Sequence, residues 1–482
     1  METFNLLDEA WIPVLFADGT ARRLGIRDTL GRAGEIRQIA APNPMDRVAL
    51  LRFLLAILYW CRGNPEGLAE KDKILADGRF PADWFGKLDE RRDCFNLLGD
   101  GKRFYQNTAY QHQTPDHTVD YLLHEVPSGA NKWHFRHATD FVDGLCRACA
   151  AIGLLRLPAF ATSAGKGMSR ATGKSPGINS KPPLYVMPLG PSLAATLLLS
   201  WRQWGSDLGK PEWEDPGRMA LDAGEVPLLR GLTWVPRSIW LGEPEMPESI
   251  CAACGRKEVL IRRCVFDGKG SIKAEGRVWH DPHLIYVTAK EKTMALQTSN
   301  ALGSSDGAAG QWAGQVAAIL RGRSELRAGA CCVVGFSTVQ NDKYLEATDR
   351  LLRLGALPGV EGSAAMLELW QKEGARLSRR MYPKSSARRH VEIRPAIDAV
   401  RPDVEAEAFA HIDKLCSGDD RVWAGGSGVY SPMMEAVAKC LSPGFTTAAV
   451  GRCQEISRMS PDKTRKPPVE ARAPKAENGG TS

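Results

Sequence analysis

Cys251 and Cys254 stand in the run CAACG, and their spacing is the sharpest chemical signal in the sequence. Two thiolates separated by two residues can grip one Zn²⁺ from a tight turn, and the glycine that follows allows the turn. Cys264 lies ten residues on, and His280 and His283 come after it. Cys251, Cys254, Cys264 and His283 would complete a tetrahedral site. A closed site of this kind stabilises a small loop region and does no chemistry of its own. The competing reading is a pair of incidental thiols. Two further cysteines, Cys146 and Cys149, sit three apart on one face of a helical pattern. There, small core residues are the commoner use.

A second kind of chemistry is written in Arg156–Pro183, RLPAFATSAGKGMSRATGKSPGINSKPP. Glycines occupy 165, 167, 173 and 177, cations occupy Arg156, Lys166, Arg170, Lys174 and Lys181, and no Asp or Glu occurs. Glycine lets the backbone come close to a ligand and offer bare N–H groups, and cations beside them suit phosphate. Such a loop can hold a nucleic-acid backbone without reading bases. The plain alternative is a solvated surface loop. A nucleotide-binding P-loop is excluded. Gly167–Ser175, GMSRATGKS, is one residue too long between its glycines, and Pro176 stops a helix from following Lys174.

Other stretches carry the same basic character. Asn131–His137, NKWHFRH, sets aromatics among cations, which suits single-stranded nucleic acid, although Trp133 and Phe135 would equally anchor a loop. This run closes a polar segment with five of the nine histidines, His112, His117, His124, His134 and His137, at spacings that match no standard metal site. Arg376–Arg394 holds Arg376, Arg379, Arg380, Lys384, Arg388, Arg389 and Arg394 against the single acid Glu392. A solvated face usually mixes signs, so this run reads as a phosphate-facing patch. Ala330–Glu346 reads as a hairpin with Ser337–Asp342 as its tip, a shape that can act as a wedge or minor-groove probe.

These residues need positioning. A chain of 482 residues is too long for one core. With 43% hydrophobic and 25% charged residues it has the composition of a globular protein, and its 63 basic and 56 acidic residues leave a net charge of +7. That excess is mild, so clustering matters more than the total. Some of the thirteen tryptophans should be buried scaffold. Val48–Trp60 predicts a deeply packed helix, too short and too interrupted by Arg52 to span a bilayer. Helices are also predicted over Phe141–Leu157 and Leu193–Trp201. Pro13 predicts an edge or turn, and Leu232–Leu241 a strand pair bent at Pro236. Helical patterns follow at Ala364–Arg380, Val404–Cys416, Ser431–Leu441 and Phe445–Met459. Met1–Trp11 lacks the features of an export signal, so the cysteines read as reduced thiols or ligands in a cytoplasmic protein with no membrane association. The fold class expected is α+β. A mixed domain spans 1–355 with a zinc-knuckle-like insertion near 251–283, a four-helix-type bundle spans 356–459, and a disordered tail spans 460–482. No H-E-x-x-H, G-x-S-x-G or H-N-H-type cluster occurs, which points away from an enzyme.

Taken in order, these pieces resemble a known family. Asn5–Val14 (NLLDEAWIPV), the Leu123–His137 loop, the Cys149–Ile152 helix leading into a glycine-rich loop, LTWVPR, C-x-x-C-G and Trp279–His283 are similar to segments of CasA. CasA is the large subunit of Cascade, the type I-E CRISPR RNA-guided surveillance complex. The resemblance implies a binding subunit, not an enzyme. Such a subunit reads the short motif beside the target (the PAM) in double-stranded DNA from the minor groove, helps to start R-loop formation, and recruits a helicase-nuclease. It implies a glycine loop at Ala164, Gly165, Lys166 and Gly167. It implies a lysine finger at Lys269, with Lys273 as runner-up, and a glutamine wedge at Gln340 flanked by Val339 and Asn341. A contact with the guide RNA would fall on Phe135, Arg136 and His137. Two other functions compete: a metal-dependent nucleic-acid enzyme using the Cys251–His283 region, and a zinc-containing scaffold that binds only RNA.

Overall fold

Asn43 starts the helix against which much of the core packs. Its side chain accepts a hydrogen bond from the Met45 N–H at 2.9 Å, and Pro44 occupies the first helical position, where its missing N–H costs nothing. The helix (α2, Pro44–Arg62) ends at Gly63, which takes φ +87. From Val48 to Trp60 every residue is buried, so α2 has no solvent face. Each large apolar side chain buried there contributes about 1.5–3 kcal/mol. Phe53 and Trp60 lead an aromatic cluster with Phe95, Phe104, Tyr105 and Trp213.

The computed structural model describes residues 3–123, 143–161, 183–214, 225–268, 278–279, 281–286, 330–339 and 343–353. The helical patterns after 356, the proposed tail and the basic run Arg376–Arg394 lie outside these residues. The described residues mix helix and sheet, as the α+β class expects. Four antiparallel arrangements recur. β1 (Ile12–Phe16) is central between β2 (Ala21–Leu24) and β3 (Ile36–Ile39), with the short α1 (Ile26–Gly31) between β2 and β3 in sequence. Pro13 is therefore in a central strand, not at an edge. Its carbonyl is used by Ala40 N–H at 2.9 Å, and pairing to β3 begins only at Val14.

After α2 come α3 (Leu68–Asp77), α4 (Gly86–Glu90), the two-residue β4 (His117–Thr118) and α5 (Arg147–Phe160). α5 begins later than the expected Phe141, because Leu145 bridges to Ile261 and Cys146 is extended. β5 (Pro183–Leu189), α6 (Leu193–Ser200), β6 (Glu225–Val226) and α7 (Leu228–Thr233) follow, then β7 (Arg237–Leu241). Leu232 and Thr233 are thus helical, and only the second half of the expected strand pair is a strand. α7 is fastened by the Thr233 hydroxyl, which donates to Leu229 O at 2.6 Å. β8 (Glu245–Ile250) and β9 (Lys257–Leu260) form a two-stranded ribbon, and β10 (Arg263–Gly268) lies between β4 and β7. β11 (Val278–Trp279) pairs in parallel with β6.

The last sheet has the order β12-β5-β13-β14, with β12 at Leu284–Tyr286, β13 at Ala330–Val339 and β14 at Lys343–Arg353. Its register has a consequence for the loops. Ala330 pairs with Leu189 and Gly335 with Leu184, so β13 runs toward the end of the sheet where β5 begins. β13 continues to Val339, paired only with β14, whose partner there is Lys343. At about 3.3 Å per residue, those residues carry β13 roughly 13 Å past its last β5 pair. The expected hairpin is present, but strand extends through Val339, so Ser337 and Thr338 are not part of a turn.

Candidate metal centre and nucleic-acid interface

The CAACG turn closes as its glycine suggests. Gly255 takes φ +70 and donates its N–H to Cys251 O at 2.9 Å, while Cys251 N–H donates to Arg256 O at 2.8 Å. This places Cys251 and Cys254 on the tip of the β8–β9 ribbon. Facing them is the start of α5. Leu145 and Ile261 exchange two backbone hydrogen bonds, each 2.9 Å, and Ala252 N–H reaches Gly144 O at 3.1 Å. Gly144 is required by this close approach, since a Cβ there would lie 2.8 Å from Leu260 Cβ. The clasp brings Cys146 and Cys149 against Cys251 and Cys254, and the four sulfurs all lie within 4.8 Å of one another.

A tetrahedral zinc with sulfurs at about 2.3 Å requires sulfurs about 3.8 Å apart. Cys146 Sγ and Cys254 Sγ are 3.8 Å apart. All four are free cysteines. Cys146 N–H points at Cys251 Sγ at 3.3 Å, as a donor to a thiolate would. The Cys251 thiol is held below its ordinary pKa, first by the Cys146 thiol and then by that of Cys149, while Cys149 is pushed up first by Cys146, then by Cys251 and by burial. A divalent cation at this site would deprotonate all four thiols. Arg23 lies 3.9 Å from Cys149 Sγ. Burial pulls its guanidinium pKa down, but the thiols, Cys254 foremost, raise it above the ordinary value overall. The donor set therefore fits a soft, tetrahedral cation.

This corrects two of the four expected ligands. Cys264 is on β10, fully buried, and its thiol faces Thr118 O at 3.8 Å. His283 is also buried, and its Nε2 meets the Ser200 hydroxyl at 2.7 Å. Cys146 and Cys149 take their place in the group of four cysteines that could hold a metal. The signal was in the sequence as a second C-x-x-C, but about a hundred residues and several elements separate the two pairs. Of the histidines within the described residues, His117 contacts Asp116 at 2.6 Å and packs on Tyr121, and no histidine joins the cysteine group.

His283 belongs to a buried polar network. Arg52, in the middle of α2, donates from Nε and Nη2 to Asp281 Oδ2 at 2.8 and 2.6 Å. Asp281 Oδ1 accepts from the His283 N–H at 2.9 Å. Burial pushes the His283 imidazole down to about 4, so it is neutral near pH 7. The network ties α2 to the segment that enters β12.

The expected nucleic-acid contacts Ala164, Gly165, Lys166, Gly167, Lys269, Gln340 and Asn341, and the guide-RNA residues Phe135, Arg136 and His137, lie outside the described residues. Their stems are within them. Arg156, grouped by sequence with the phosphate-binding cations, is instead buried in α5 and ion-paired with Asp46 of α2. It is structural. At the end of α5, the Tyr185 hydroxyl donates to Ala159 O at 3.0 Å. The residues on either side of 162–182 are therefore joined by a hydrogen bond. Gly268, which precedes Lys269, ends β10 opposite Arg237.

The described residues combine helix and sheet with a four-cysteine clasp and an antiparallel β13–β14 pair. The model of the CRISPR-associated protein Cse1 family matches residues 5–368, and the chain belongs to that family. CasA/Cse1 of Thermus thermophilus is 33% identical over 223 residues. That alignment takes in 45% of this chain and 43% of the relative, so the chain spans less than half of that relative's length. The fold is similar to that of the solved T. thermophilus CasA (TM-score 0.65, 20% identity, 95% of this chain and 99% of that one). It is also similar to Cse1 of Thermobifida fusca (0.62, 18%, 93% and 91%). A chain of a CRISPR RNA-guided surveillance complex matches as well (0.66, 18%, 95% and 99%).

Proposed function

We propose that this protein is the large subunit of a type I-E CRISPR RNA-guided surveillance complex, and that it acts by binding, with no catalytic step of its own. It recognises the PAM in target duplex DNA from the minor groove, helps to open the strands, and recruits the helicase-nuclease. The observation that carries this reading is the register of the β12-β5-β13-β14 sheet. Segment 162–182 joins β5 at Pro183, and Gln340 follows Val339, beyond the same end of that sheet. Both leave from neighbouring, hydrogen-bonded strands, which supports a shared surface for the glycine loop and the wedge. The minor groove offers a degenerate pattern of acceptors, so backbone amides, Lys269 and Gln340 suit relaxed motif reading. Insertion of Gln340, flanked by Asn341, costs a few kcal/mol of unstacking that guide pairing then offsets.

The remaining assignments follow. Phe135, Arg136 and His137 meet the guide RNA. The patch of Arg376, Arg379, Arg380, Lys384, Arg388 and Arg389 holds duplex or displaced strand. Cys146, Cys149, Cys251 and Cys254 hold a structural Zn²⁺, whose chemistry is to cross-link the start of α5 to the β8–β9 ribbon. The test uses the assembled complex with guide RNA. Gln340→Ala and Lys269→Ala should each slow opening of a PAM-bearing duplex while assembly on guide RNA stays intact. Wild-type opening rates in both variants would reject the site. Turnover of nucleic acid by the purified chain with Mg²⁺, Mn²⁺ or Zn²⁺ would reject the binding-only role.

A further inference from the structure

A cleft of about 660 Å³ opens at the C-terminal end of α2. Its walls come from the last turn of α2, from Lys87–Lys102 and from 206–210. Five cations line it: Arg62, Lys87, Arg91, Lys102 and Lys210. Among the described residues two carboxylates do, Asp207 and Glu214. Both acids are engaged. Asp207 Oδ1 accepts the Gly209 N–H at 2.8 Å, and Glu214 faces Arg91 at 3.9 Å. Arg62 is matched by Glu66 and Glu70 outside the lining. Among the described residues the three lysines have no acid partner. Lys87 Nζ lies 4.7 Å from the Trp60 ring centroid and 3.3 Å from Trp60 O. Lys102 Nζ lies 3.1 Å from the Cys94 thiol.

An anion in the cleft supplies the charge that the lysines lack.

We propose that this cleft is a phosphate-binding site, formed by Lys87, Lys102 and Lys210. Lysines act on phosphate as point charges, and the volume suits a diphosphate or the backbone of one or two nucleotides. The phosphates come either from a nucleic-acid backbone or from a free polyphosphate. The site stands apart from the minor-groove assignment, because it is read on the isolated chain and not by duplex opening.

The test uses the full chain and two probes, inorganic pyrophosphate and the oligonucleotide (dT)8. Pyrophosphate titrated by calorimetry should bind, and it should protect Lys87, Lys102 and Lys210, but not the exposed Lys257, from amine acetylation read by mass spectrometry. Lys102→Ala and Lys210→Ala should each weaken pyrophosphate binding about tenfold, the loss expected for one charge-assisted contact, while Lys210→Arg retains it. Displacement of pyrophosphate by (dT)8 assigns the cleft to a nucleic-acid backbone, and failure to displace it assigns the cleft to free polyphosphate. No pyrophosphate binding, or protection confined to other lysines, overturns the site without touching the duplex-opening reading.

Discussion

Replacing Asp281 by asparagine should destabilise the protein by about 3–5 kcal/mol, the cost of leaving a buried charge without its partner. The side chains of Arg52 and Asp281 are each 3% exposed, so water cannot take over. Arginine cannot escape by losing its proton. The ring of Tyr185, with its centroid 5.4 Å from the guanidinium, offers only partial compensation. Asparagine is the informative replacement because its carbonyl can still accept the His283 N–H, so the loss isolates the charge. For a cooperative unit of 150–250 residues, this corresponds to a fall in Tm of about 6–20 °C. Thermal and urea unfolding followed by circular dichroism measure it. The double variant Arg52→Met/Asp281→Asn should recover much of the loss, because it removes the stranded charge as well. A fall of less than 2 °C in the single variant, or a double variant no more stable than the single, would refute the argument.

Two further outcomes follow from the buried groups. The purified chain should release about one Zn²⁺ on denaturation, by a chromogenic chelator assay. Cys149→Ser and Cys251→Ser should abolish the release and lower Tm, and Cys264→Ser should leave the zinc content unchanged. Stability should also depend on pH through His283, whose folded pKa of about 4 lies below the ordinary 6.5. Between these values the unfolded chain binds the proton and the folded chain does not. The contribution is therefore complete above pH 6.5 and declines by up to about 3 kcal/mol as pH falls toward 4. Urea titrations at pH 7 and pH 5 measure the decline, and His283→Gln should flatten it.

Where one element's own pattern decided the outcome, the sequence was enough. The run Val48–Trp60, with Asn43 and Pro44 ahead of it, has no polar face and could only be a buried helix. The turn at Cys251–Gly255 was fixed by its glycine. What was not legible depended on partners far along the chain. Pro13 reads as an edge residue until β3 is known to pair from Val14 onward. Arg156 reads as a phosphate ligand until Asp46, 110 residues away, is placed beside it. Cys146 and Cys149 read as core until Leu145 pairs with Ile261 and carries them to the CAACG turn. Cys264 had the better sequence distance from that turn, but the alternation of β10 points it toward Thr118.

The clasp and the loop are linked through α5. A basic, acid-free segment such as 162–182 has few apolar residues with which to fix its own position. Its ends must be held by other elements if its amides are to meet a phosphate backbone in one orientation. α5 is pinned at its start by the cysteines, in its third turn by Arg156 on Asp46, and at its last turn by Tyr185 on Ala159. The last bond satisfies a C-terminal carbonyl that the helix itself leaves open, and it does so from β5, the strand that receives the loop's other end. β5 in turn is hydrogen-bonded to the strand that leads to Gln340. On this arrangement the cysteine cluster would set the geometry of the proposed nucleic-acid surface through buried contacts, Arg156 on Asp46 and Tyr185 on Ala159.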